Sequence, residues 1–117
     1  MTAYKIVERK DGLYHTLFHT YFNRVLGRTR RLPWYTWLIA EQRENVSDGT
    51  SKTTYTSGWH VIPDYEYALE YLKRFKDKPD RELVILEVRT FGFQPKPTNP
   101  RVLLCREICI IGRKREQ

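Results

Sequence analysis

The chain has 117 residues, 40% hydrophobic and 14% aromatic, with 21 Lys plus Arg against 14 Asp plus Glu, a formal charge of +7. That composition excludes a disordered basic tail and predicts one folded domain over residues 1–117, with 113–117 as a solvated basic end. The longest apolar stretches, such as Leu83 to Leu86 and Val102 to Cys105, are four residues, against the roughly 18 to 20 a membrane-spanning helix needs, so no membrane partner is expected. The first residues lack a cationic start followed by an apolar run, and the expected location is the cytoplasm of a host cell.

Tyr4 to Arg9 is rich in β-formers, and Asp11-Gly12 predicts a turn into a second strand from Leu13 to about Phe18. Over 13–26 a helix competes with that strand, because Tyr14, Phe18, Tyr21, Phe22 and Val25 also recur at helical spacing. Arg24, Arg28, Arg30 and Arg31 then surround Gly27, the most basic loop. Trp34 to Ala40 alternates with apolar residues on both faces and predicts a central strand. Residues 42–57 are polar and predict a loop, or an irregular hairpin through Lys52 to Tyr55.

Gly58 to Ile62 predicts a short strand, and Pro63-Asp64 starts a helix with Asp64 as its cap. Tyr65, Ala68, Leu69, Leu72 and Phe75 form its apolar stripe, with Lys73, Arg74 and Lys76 near its end. Leu83 to Arg89 predicts a strand, Phe91 to Pro100 a loop with three prolines, and Val102 to Ile111 the last strand. The expected fold is therefore α+β: an antiparallel or mixed sheet of about five strands with one principal helix on one face. The helix stripe is expected to bury against Val84, Leu86, Val88 and Ile108 to Ile111.

Charge is uneven along the chain. Basic against acidic residues number 7 and 2 over 1–40, 2 and 3 over 41–60, 5 and 6 over 61–82, and 7 and 3 over 83–117. Positive potential thus belongs to loops and strand ends, and it predicts an acidic macromolecule or a nucleotide as partner, with no cofactor. The expected ligand-binding residues are Arg24, Arg28, Arg30 and Arg31, with Trp34 and Tyr35 beside them for stacking. Trp37 and Trp59 are expected in the core. Cys105 and Cys109, four apart on one strand, are too far separated for a disulfide and read as core thiols. His15 and His19 share helical spacing but lack a third ligand, so no metal site is expected.

Two resemblances follow from particular residues. Tyr4-Lys5-Ile6-Val7, Gly58-Trp59-His60-Val61-Ile62 and the Ala68, Tyr71 helix resemble small bacteriophage and mobile-element proteins, which implies a phage accessory binding protein, including inhibitors or sponges of host defence. In their order, Leu13-Tyr14-His15-Thr16, Gly58 to Val61 and Glu107 are similar to the His, aromatic and Glu elements of ADP-ribosyltransferase-like domains. That likeness implies an alternative enzyme acting on a nicotinamide dinucleotide, with His15, His60 and Glu107 as catalytic residues. A structural or homo-oligomeric virion component is the third expectation.

Overall fold

The computed structural model describes residues 1–47, 53–75 and 80–114. Its elements are β1 (Thr2–Lys10), β2 (Leu13–His15), β3 (Tyr21–Asn23), β4 (Gly27–Thr29), β5 (Trp37–Ile39), β6 (Val46–Ser47), β7 (Thr54–Tyr55), β8 (Trp59–Val61), α1 (Tyr65–Lys73), β9 (Glu82–Lys96) and β10 (Asn99–Lys114). The balanced α+β expectation is overturned: the fold is mostly β, 58% strand and 9% helix, built on a curled half-barrel sheet. No helix among the described residues is long and apolar enough to cross a membrane.

The main sheet runs β2-β1-β9-β10-β5, with β8 also on β10, and every pairing is antiparallel. Asp11 and Gly12 both adopt positive φ, 55° and 75°, the twist a two-residue turn needs to return β2 along β1. Beyond Arg89 the strand β9 leaves β1 and continues with β10 alone. The expected loop from Phe91 to Pro100 is therefore mostly strand, closed by a two-residue turn at Pro97-Thr98. With one edge of β9 no longer paired there, a proline lacking its N–H is tolerated.

The far half of this long hairpin curls until β8 meets β1. Tyr4 N–H donates to the Ile62 carbonyl at 2.8 Å, and Ile62 N–H returns to the Tyr4 carbonyl at 2.7 Å. The curl produces two apolar layers. Ala3, Val7, Val84, Leu86, Val88, Ile108 and Ile110 fill the interior with Trp59. Ile6, Ile85 and Val102 take the helix residues Tyr67 and Ala68 on the other face. The helix consequently does not bury against Val84, Leu86 and Val88 as the stripe alone suggests, because alternate residues of β9 point to opposite faces.

Other expectations hold locally. Asp64 caps α1 by accepting the Glu66 N–H at 2.9 Å, while the expected stop at Lys78-Pro79-Asp80 and the basic residue Lys76 lie, Asp80 apart, outside the described residues. Trp59 is buried and its Nε1 donates to the Leu38 carbonyl at 2.9 Å. Trp37, by contrast, is half exposed, because β5 is a short edge strand and not a central one. Residues 13–26 form neither a long strand nor a helix: β2 ends at His15 and a small β3–β4 hairpin follows. Within 42–57, β6 and β7 pair as a short hairpin whose tip, 48–52, lies outside the described residues. Gly112, Arg113 and Lys114 belong to β10 and pair with Glu87, Leu86 and Ile85.

Candidate ligand-binding cavity

A cavity of about 790 Å³ opens where the curled sheet, the segment 16–20, the segment 40–47 and the end of α1 converge. Its volume falls in the range of small-molecule sites. One wall is apolar, formed by Leu17 and Phe18 with Tyr71 and Phe75 of the helix end, whose rings stand 5.8 Å apart. The lining also carries charge. Lys5 shares the inward parity of Ala3 and Val7 on β1, so its side chain enters the interior instead of solvent.

Lys5 is 8% exposed. Its Nζ donates to the His60 carbonyl at 3.0 Å and lies 5.5 Å from the centre of the Trp59 ring. Among the described residues no carboxylate pairs with it. Burial pulls its pKa from 10.5 down to about 8, an effect that the nearby Cys105 only partly opposes. Lys96 also lines the cavity, its ammonium 5.5 Å from the centre of the Tyr55 ring, and Tyr55 stands edge-on to His60 at 6.5 Å. A buried ammonium held only by a carbonyl and an aromatic face retains most of its desolvation cost, so an anion entering the cavity would find an unneutralised partner.

The rim is organised by carboxylates. Glu41 accepts from Arg28 at 2.6 Å and Arg43 at 3.4 Å, and the Arg28 guanidinium, then Arg43, holds its carboxyl below the ordinary range. The segment 16–20 is tied to a partly buried ion-pair cluster. Glu8 accepts from Arg81 Nε at 2.6 Å and Arg30 at 3.4 Å, and those two guanidiniums also donate to the Leu17 carbonyl at 2.8 and 3.1 Å. The hydrogen bond from Arg81, ahead of the charges of Arg81 and Arg30, depresses the Glu8 pKa. At the entry to β8, a Cβ on Gly58 would stand 2.8 Å from the Cys105 carbonyl oxygen, so only glycine allows β8 to lie so close to β10.

The residues expected from sequence scatter around this geometry. Arg28 and Arg30 are engaged by Glu41 and Glu8. Arg24 is exposed in the β3–β4 turn, and half-buried Arg31 bridges to His15 in the backbone. Neither Arg24 nor Arg31 pairs with a carboxylate among the described residues. Trp34 packs on Tyr14 at 5.1 Å with its Nε1 buried, whereas Tyr35 is exposed. Of the alternative set, His60 lines the cavity, His15 lies on edge strand β2, and Glu107 lies on β10 between Ile39 and Phe91. The three are not brought together. No three His, Cys, Asp or Glu side chains gather as a metal ion requires among the described residues.

Lys5, Lys96 and Tyr55 were not among the expected site residues. The available signal was the parity of β1, in which a lysine occupies an inward position between Ala3 and Val7; Lys96 and Tyr55 reach the cavity through the curl of the sheet, which has no local signature. No known protein family, curated protein or solved structure matches the chain.

Proposed function

We propose that the protein is a binding module for a small anionic ligand with a flat ring, of the nucleotide class, held in the cavity beneath the curled sheet. The observation that carries this reading is Lys5: a buried cation with no carboxylate partner among the described residues, lining a cavity large enough for such a ligand. The anionic group faces Lys5, and the ring lies against Phe18, Tyr71 and Phe75, which also line the cavity. The acidic partner expected from the net charge is kept, while its site moves from the arginine loop, where Arg28 and Arg30 already serve Glu41 and Glu8, to the interior of the sheet. A phage accessory role is compatible with such a module and rests on the sequence resemblance alone.

Calorimetric titration with AMP, GMP and a nicotinamide dinucleotide tests the reading. At least one should bind, with affinity falling tenfold or more in Lys5→Met and changing little in Arg24→Ala. Loss of all binding heat in the wild type, or equal affinity in Lys5→Met, would overturn it. Turnover of the dinucleotide, if detected, would favour the enzyme alternative.

A further inference from the structure

On the outer side of the sheet, Trp37 and Ile39 of β5 stand opposite Cys109 and Glu107 of β10, which in turn stand opposite Arg89 and Phe91 of β9. Residues paired in this way share one side of a sheet. Leu38, Ile108 and Thr90, which alternate with them, are buried on the other side, so these six side chains point outward. The same parity of β9 includes Ile85, which takes α1, but the helix does not reach Arg89, which is exposed. Trp37 is 49% exposed, Ile39 64% and Phe91 59%, and none of the six lines the cavity.

We infer that this bare face is where a second copy of the chain packs, in a two-fold dimer that sets Arg89 of each copy against Glu107 of the other.

Charge makes the face complementary to itself. Arg89 and Glu107 lie within the apolar patch, and neither pairs with an opposite charge among the described residues. A partner of one sign, such as nucleic acid, would satisfy Arg89 and repel Glu107, whereas a second copy satisfies both. Arg89, Cys109, Glu107 and Phe91 form the corners of a rectangle, with Arg89 opposite Cys109 and Phe91 opposite Glu107. A two-fold rotation that exchanges Arg89 with Glu107 has its axis along the other diagonal. Phe91 and Cys109 of one copy therefore face Phe91 and Cys109 of the other, and Trp37 and Ile39 are covered beside them.

The area agrees with a modest interface. Large side chains bury roughly 150 to 250 Å² when wholly covered, so three that are about half exposed offer roughly 300 Å² per copy. With Arg89, Glu107 and Cys109 added, two copies together bury about 1,000 Å², the lower limit of a specific interface and the size of a weak, concentration-dependent dimer.

Light scattering of the full chain from low micromolar to submillimolar concentration tests the inference. The wild type should pass from monomer to dimer and stop there, as a closed two-fold requires. Arg89→Glu and Glu107→Arg each set like charges together and should each weaken the dimer about tenfold or more. An equimolar mixture of the two variants restores both contacts and should dimerise as the wild type does. A short bis-maleimide should link Cys109 to Cys109 in the dimer, because Cys105, the other cysteine, is buried. A wild type that stays monomeric, a dimer indifferent to both reversals, or growth past the dimer through the open edge of β5 would overturn the proposal. Weakening by both reversals without rescue on mixing would deny the contact between Arg89 and Glu107 and overturn it equally.

Discussion

Glu8 and Lys5 lie three residues apart on β1, both buried, and their charges are treated in opposite ways. Glu8 is surrounded: two guanidiniums reach its carboxylate, and the same guanidiniums tie down the carbonyl of Leu17. Lys5 meets one carbonyl and one ring, with a cavity beside it. A charge that serves the fold is neutralised within the fold, whereas a charge left open onto a cavity costs stability that only a ligand can restore.

The largest expected effect is on the closed site. Glu8→Gln keeps an acceptor oxygen but removes the negative charge that Arg81 and Arg30 share, and should cost about 3 kcal/mol in urea unfolding; a loss below about 1 kcal/mol would mean the cluster is solvated and the contrast false. The native Glu8 pKa is depressed below its ordinary 4.5. Its stabilisation is therefore complete above that value and fades as pH falls through the lower native pKa, so acid unfolding of the wild type should be steeper than that of Glu8→Gln.

Lys5→Met should move stability the other way, raising it by about 1 to 3 kcal/mol at pH 7 while removing anion binding. Between about 8 and 10.5 the unfolded chain retains a proton on Lys5 that the native chain has shed, so native stability gains as pH rises. The advantage of Lys5→Met should accordingly shrink by up to about 3 kcal/mol across that window, measured as the difference between the two unfolding free energies. A constant difference would place Lys5 in water.

Gly58→Ala sharpens the comparison by disturbing the wall and not the charge. Its added Cβ would meet backbone of β10 at 2.8 Å, and overpacking of this kind should cost about 2 kcal/mol with weaker ligand binding. The smallest effect belongs to the arginine loop. Arg24 is exposed, and Arg24→Ala should change the unfolding free energy by less than about 0.5 kcal/mol and leave AMP affinity within twofold.

What could be read from the sequence was what short-range chemistry dictates. Asp11-Gly12 specified a hairpin turn, Asp64 a helix cap and Trp59 a core ring, and each needs only its neighbours to act. The path of the sheet was not legible. The prolines of 91–100 suggested a loop, but Pro95 lies where β9 has lost β1 as a neighbour, a condition set by strand lengths far apart in sequence. The side of the sheet covered by α1 depended on which parity of β9 met the helix, and the stripe on the helix does not encode it. Charge counting located the excess arginines but not their partners, because Arg28 to Glu41 and Arg81 to Glu8 are contacts of the finished fold. The lysine at an inward position of β1 was visible from the start; its meaning came only with the cavity.

The most direct test is the titration of the Lys5 ammonium itself, followed by side-chain NMR of ¹⁵N-labelled lysine with and without AMP. An Nζ that titrates near 8 in the free protein and is driven upward when the anion binds is the predicted result. An Nζ that titrates near 10.5, indifferent to the ligand, would contradict the account.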